Sequence, residues 1–246
     1  RSLCMQMLSL VDRMPGYPVT VLEKQGTWIV CEVDGLRFKL DPSQYVDGEI
    51  LRYGVFEPYS VSWVKQILKP EMVVVDVGAN FGYYSLLCSS LVGERGHVLA
   101  FEPSARFRNR LDEHIKMNNL HNITVVDKGL SDKEEELSLF LGGDSASFHW
   151  VGNSEPLGAE RVTLTTLDKF VRMHGLTRLD FVKVDIDGHE PRFLDGARET
   201  LMTYRPIILI EFMQLALIKA GSSVEDLAER LQGMGYLLQS EQSKTP

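Results

Sequence analysis

The sequence predicts an α/β fold of the Rossmann-like kind, and three features predict it. Apolar runs without polar alternation at Met72 to Val75, His97 to Phe101, Ile123 to Val126 and Phe181 to Val184 read as parallel strands buried on both faces. Each run gives way to acids or glycines at its carboxyl end, the edge at which open α/β sheets bind ligands. Helical patterns separate the runs, as βαβ units require.

The first strand feeds the segment MVVVDVGANFGYYS, from Met72 to Ser85. Gly78 and Gly82 let the backbone approach a ligand closely, and a helix over Phe81 to Leu91 turns its N-terminal amides toward the same crevice. The spacing is not that of GxGxxG, whose second glycine admits a pyrophosphate. A ligand with an amino acid end, a sulfonium and a ribose suits Asp76 and Asn80 better, which points to S-adenosylmethionine (SAM). Strand-to-helix turns also take glycine for packing alone, so this segment does not decide the ligand by itself.

Glu102 ends the second strand in HVLAFEPS, where an acid can accept hydrogen bonds from both ribose hydroxyls. Pro103 stops that strand, and Ser104 is placed to cap a helix over Ala105 to Asn118. The third strand ends at Asp127, near where an adenine would lie.

Residues 1–70 read as an appendage. Leu3 to Met14 suits a short helix, and Pro18 to Glu23, Trp28 to Val33 and Leu36 to Leu40 suit strands of a β-meander, with Asp34-Gly35 a hairpin signal. Tyr59 to Leu68 follows as a helix. The binding domain then spans 71–246, with an inserted hairpin and loop at about 131–166: strands over Leu137 to Leu141 and Val162 to Thr165 flank a loop carrying Gly142, Gly143, Asp144, Gly152, Asn153, Pro156 and Gly158. Loops of that length often act as lids. Its Phe148, His149 and Trp150 either cover a substrate or pack the loop onto the sheet.

The fourth strand opens a second dense motif, DFVKVDIDGHEPRFLDG, from Asp180 to Gly196. Lys183, Asp185, Asp187, His189 and Glu190 crowd one strand end, and buried acids are costly unless paired, so part of this cluster should touch ligand. A helix over Glu190 to Tyr204 and a strand over Pro206 to Ile210 bring Glu211 to the same edge. A helix over Val224 to Met234 and a last strand over Tyr236 to Gln239 complete the sheet, with a frayed tail to Pro246.

Composition narrows the function classes. The 246 residues are 44% hydrophobic, enough for one domain with additions. The net charge of −8 argues against a nucleic-acid partner, because neutralising phosphates needs clustered Lys and Arg. Cys4, Cys31 and Cys88 show neither metal-ligand spacing nor a disulfide framework, which fits a reducing, cytoplasmic setting. No apolar stretch reaches the ~20 residues that span a bilayer, and no signal-peptide pattern opens the chain. The chain begins with Arg1, as a trimmed piece or an excised domain would.

The blocks VVDVGANFGYYS, FEPS, TLTTLDKF, FVKVDIDGHEPRFLDGA and RPIILIEF occur in the order found in FkbM-type SAM-dependent methyltransferases, and the chain resembles that family over roughly Leu36 to Leu238. The resemblance implies a class I methyltransferase fold, a seven-stranded mixed sheet with helices on both faces. It implies O-methylation of a hydroxyl on a sugar or secondary metabolite, or, as in some members, N-methylation of a peptide amide. By the same resemblance Asp76, Gly78, Asn80 and Gly82 hold the methionine end of SAM, Glu102 the ribose and Asp127 or its neighbours the adenine, with Asp185 beside the sulfonium. Two departures stand out: Asp187 replaces a usual Glu, and Gln214 stands where a histidine is common.

Candidate catalytic groups are Asp185 and His189, with Glu211 behind them; His189 could instead be a helix N-terminal residue bonded to structure. Asp185, Asp187, Glu190 and Glu211 could also bind Mg²⁺, which prefers oxygen ligands. The acceptor is expected to be a small molecule, and the oligomeric state is open. Two other classes compete: an NAD-type oxidoreductase, disfavoured by the missing GxGxxG, and a catalytically silent SAM-binding module.

Overall fold

A computed structural model describes residues 17–143, 145–150 and 155–239. The helix expected at Leu3 to Met14, the loop residues Asp144, Gly152 and Asn153, and the tail beyond Gln239 lie outside the described residues. The chain divides into two compact units, Arg1–Ile67 and Leu68–Pro246.

In the first unit β1 (Val19–Gln25), β2 (Trp28–Val33) and β3 (Leu36–Leu40) form an antiparallel meander in sequential order, followed by α1 (Tyr45–Tyr53) and α2 (Pro58–Ile67). Alternation along β3 buries Leu36, Phe38 and Leu40, and Cys31, Val33 and Ile50 are buried with them. The buried Asp47 of α1 accepts the Asp41 amide at 2.7 Å, which ties the helix to the end of β3.

The second unit begins with β4 (Val73–Val77), α3 (Tyr83–Val92), β5 (His97–Phe101), α4 (Ala105–Met117) and β6 (Ile123–Val126). An insertion follows, with β7 (Gly129–Leu130), β8 (Glu135–Leu141), β9 (Ala146–Ser147) and β10 (Gly158–Thr165). The chain returns through α5 (Leu167–His174), β11 (Phe181–Val184), α6 (Glu190–Gly196), α7 (Arg198–Tyr204), β12 (Ile207–Ile210), α8 (Gln214–Lys219) and α9 (Val224–Gly233).

Five strands form one wholly parallel sheet in the order β12-β11-β4-β5-β6. The strand order reverses between β4 and β11, so their carboxyl ends mark the switch point at which such sheets take ligands. Val75, Val77, Leu99, Phe101, Val182 and Val184 share one core cluster with Leu167, Phe193, Leu201, Leu217 and Leu227 from the helices on that face. The opposite face carries Asp76 and Lys183, which touch Ser85 and Tyr84 of α3. Helices therefore cover both faces, as expected.

The seven-stranded mixed sheet is not what the described residues form. The expected strands over Leu137 to Leu141 and Val162 to Thr165 pair with each other, lengthened to β8 and β10, in a separate four-stranded sheet ordered β7-β10-β8-β9. Residues 236–239 make no strand: the Tyr236 amide bonds the Leu231 carbonyl, its hydroxyl bonds the Leu201 carbonyl, and Leu237 stays exposed. The segment is thus fastened to α9 and α7.

The helix expected over Glu190 to Tyr204 is two helices meeting at Ala197, where Gly196 is pressed against Ser131 so closely that a Cβ would lie 1.9 Å from the Ser131 carbonyl oxygen.

Candidate functional site

Asp76 lies one residue before the end of β4 and is fully buried. The Ser85 hydroxyl donates to its Oδ2 at 2.6 Å, whereas Oδ1 is buried with no hydrogen-bond partner among the described residues. Burial pushes its pKa up, against the opposing charge of Lys183 and the Ser85 hydrogen bond. An orphaned carboxylate oxygen is expensive, and at a sheet switch point a ligand N–H or O–H is its natural partner.

The chain then turns at Gly78, whose φ of 80° is open to glycine at little cost. A Cβ there would lie 2.1 Å from the Asp185 carbonyl oxygen. This close approach brings the loops after β4 and β11 together. The amides of Gly78 and Ala79 both donate to the Phe101 carbonyl, fixing the turn to β5 as well. Asn80, also at positive φ, turns its own Oδ1 onto the Phe81 amide at 2.7 Å. Gly82 packs on α4, where a Cβ would lie 2.3 Å from Leu111 Cδ1.

Glu102, 5% exposed, sits beyond β5 and receives two backbone amides at 2.8 Å, Asn80 on Oε2 and Ser104 on Oε1. Burial raises its pKa to about 7, opposed by those two bonds and by Arg108. Asp127 lies exposed just past β6.

Ser104 does not cap α4 with its side chain. Glu160 of β10 does so instead, accepting the Ala105 amide at 2.8 Å and the Ser104 hydroxyl at 2.7 Å. A carboxylate there also complements the positive end of the helix dipole.

Across the switch point, Lys183 pairs in register with Asp76 and reaches Asp185 Oδ2 with its Nζ at 3.0 Å. Lys183 is 6% exposed, while 34% of the Asp185 side chain remains accessible. Burial works to raise the Asp185 pKa, but the Lys183 charge and hydrogen bond, with a further bond from Glu211, hold it below the usual carboxylate range. Glu211 thus stands directly beside Asp185, at the end of the neighbouring strand β12. Glu190 accepts the Ile186 amide at 3.1 Å and is raised to about 7 by burial.

His189 stands at the N-terminus of α6 but faces the inserted sheet. Its Nε2 is 3.0 Å from Ser131 Oγ, its ring lies 4.6 Å from that of Phe148, and the residue is 1% exposed. Burial, aided by Arg192, lowers its pKa to about 4, so the imidazole is neutral. Phe148 also packs on the small core of Leu139, Val162 and Leu164, while Lys219 of α8 bonds the Trp150 carbonyl at 2.8 Å.

The structure thus brings Asp76, Gly78, Asp185 and Glu211 together at one switch point, with Asn80 and Glu102 linked to them through the β4 turn, and it sets His189 apart against the insertion. Lys183, noted in the sequence only as one of a crowd, is central to this arrangement. Its residue type two positions before Asp185, hence on the same strand face, was the signal available. Among the described residues no three His, Cys, Asp or Glu side chains are arranged to hold a metal ion. No helix among them is long and apolar enough to cross a membrane.

Residues 76–238 match the family model described as the methyltransferase FkbM domain. The AMB antimetabolite synthetase AmbE of Pseudomonas aeruginosa is 30% identical over 208 residues, covering 69% of this chain and 10% of that protein. The hexuronic acid methyltransferase AglP of Haloferax volcanii is 26% identical over 159 residues, covering 65% of this chain and 61% of that one. The chain therefore spans less than two thirds of either relative. Among solved structures, the FkbM methyltransferase of Methylobacillus flagellatus aligns with a TM-score of 0.47 at 15% identity, over 76% of this chain and 53% of that one. With a family model covering most of its length, including the last two residues of β4 and every other strand of the parallel sheet, this chain belongs to the methyltransferase FkbM domain family.

Proposed function

We propose that the chain is a SAM-dependent O-methyltransferase acting on a hydroxyl of a small sugar or secondary-metabolite acceptor. The meeting of Asp76 and Asp185 at the switch point carries this reading. One acid is buried with an orphaned oxygen, and the other is ionised and partly accessible. An anionic site suits a ligand with cationic ammonium and sulfonium groups better than it suits a pyrophosphate, which also counts against a nicotinamide dinucleotide. The relative named as a hexuronic acid methyltransferase supports a sugar-like acceptor.

In this reading Asp76, with the turn through Gly78, Asn80 and Gly82, holds the methionine end. Glu102 takes the ribose, each of its oxygens keeping a lone pair beyond the amide it already accepts. Asp127 lies toward the adenine. Bound SAM supplies an electrophilic methyl group, and the protein's part is chiefly to orient the acceptor for in-line attack, a contribution of about 7–11 kcal/mol. Asp185 is the group that accepts a hydrogen bond from the acceptor hydroxyl, with Glu211 behind it. General-base assistance of this kind typically gives ~10²–10⁴-fold. His189, neutral and enclosed against Phe148 and Ser131, is assigned to packing the insertion onto α6.

The test is to incubate the protein with SAM and a panel of hexuronic acids, neutral sugars and short peptides, following S-adenosylhomocysteine release and locating the methyl group by NMR. Methylation at oxygen on a sugar, abolished in Asp76→Ala, is the expected result. Methylation at a peptide nitrogen with the sugars inert would overturn the acceptor class.

A further inference from the structure

The parallel sheet buries a lysine at its ligand-binding edge. Lys183 belongs to the interior of β11, with Phe181, Val182 and Val184 all buried beside it. Its backbone is paired with β4 at Asp76 and with β12 at Leu209, so the side chain emerges from the middle of the sheet. Nζ lies 3.0 Å from Asp185 Oδ2 and 4.9 Å above the centre of the Tyr84 ring. A buried ammonium is tolerated only where charges and rings of opposite polarity surround it. Here one lysine serves two carboxylates, Asp76 opposite it on β4 and Asp185 two residues further along its own chain.

We propose that Lys183 is a positioning residue: set between Asp76 and Asp185, it keeps Asp185 ionised and oriented, so that the site presents a fixed negative charge to the cationic sulfonium of the methyl donor. This rests on the SAM reading above and goes beyond it in naming the group that sets the charge. The ionisable groups facing Asp185 are Lys183 on β11, Asp76 on β4, Glu211 after β12 and Glu190 on α6. Lys183 is the one cation in that set; Glu211 assists it through a hydrogen bond to Asp185, while Asp76 and Glu190 repel the charge on Asp185. Without it, Asp185 would face burial and the repulsion of Asp76 and Glu190 with no cation to offset them, and its charge would depend on pH.

The discriminating quantity is the ratio of dissociation constants for S-adenosylhomocysteine and SAM. The two ligands share ribose, adenine and amino acid and differ in the sulfonium, so titration of Glu102 cancels from the ratio. Both constants are to be measured calorimetrically between pH 6 and pH 8 on the wild-type chain, Lys183→Met and Lys183→Arg, with circular dichroism as the check on folding. In the wild type Asp185 keeps its charge across this range, so any slope in the ratio is the shallow one that Glu190, with its pKa of about 7, imposes. In Lys183→Met the preference for SAM should fall about tenfold below the wild-type value at the acid end and recover as pH rises, in line with one unit of charge at close range. Lys183→Arg should restore the wild-type profile.

An equal, pH-independent loss for both ligands in Lys183→Met, not rescued by Arg, would reduce Lys183 to a structural role and overturn the proposal. If Lys183→Met does not fold, Glu190→Gln in the otherwise wild-type chain decides: with that titration removed the ratio should be flat from pH 6 to pH 8, and a ratio that still titrates there would overturn the proposal. Failure of the wild type to bind both ligands would instead reject the SAM reading itself.

Discussion

Glu102 carries a pH signature that can be measured without any ligand. Its folded pKa of about 7 exceeds the ordinary 4.5, so the fold favours its protonated form. The associated stability is fully present below about pH 4.5 and is lost as pH rises to about 7. Glu102→Gln removes this slope, although it forfeits one of the two amide hydrogen bonds. The melting temperature of Glu102→Gln relative to wild type should therefore climb between pH 5 and pH 7.5, by the equivalent of about 1–3 kcal/mol. A constant offset across that range would contradict the raised pKa. Glu102, Asp76 and Asp185 were legible as candidates because each closes an apolar strand at the ligand edge. The burial of Lys183 was not, since nothing local to a lysine tells whether water or a neighbouring strand surrounds it. Nor was the His189 contact with Ser131, which joins residues 58 apart in sequence.

Elements were legible where hydropathy alone decides them. The limits of β5, β6 and β11 agree with their apolar runs, as do β2 and β3 of the meander. Pairing partners were less legible, because hydropathy marks a strand but not the ladder it joins; β8 and β10 satisfy each other and leave the main sheet at five strands. The cap of α4 shows the same limit. Ser104 occupies the capping position, yet the acceptor comes from Glu160, 55 residues beyond Ala105. Glu160→Ala should accordingly cost about 1–2 kcal/mol, measured by chemical denaturation, as removal of a helix cap does. Ser104→Ala should cost less, since the Glu160 bond to the Ala105 amide survives. Equal costs, or none for Glu160→Ala, would show that the carboxylate does not carry the cap.

At the scale of the molecule, the parallel sheet gathers onto one edge a set of acids that lie far apart in the chain, from Asp76 to Glu211. That gathering was foreseeable from alternating strands and helices, because every parallel strand must present the same end to the same side. The acceptor was not foreseeable. Loops and the insertion make contacts that obey no periodicity, so nothing in their sequence encodes an acceptor. The central claim is that this edge binds SAM, and thermal unfolding with SAM, S-adenosylhomocysteine, NAD or no ligand tests it most directly. A ligand at 100 times its dissociation constant adds about 2.7 kcal/mol, or roughly 5–10 °C for a chain of this size. A rise of that order with SAM and S-adenosylhomocysteine and none with NAD is expected; a rise with NAD alone would contradict the claim.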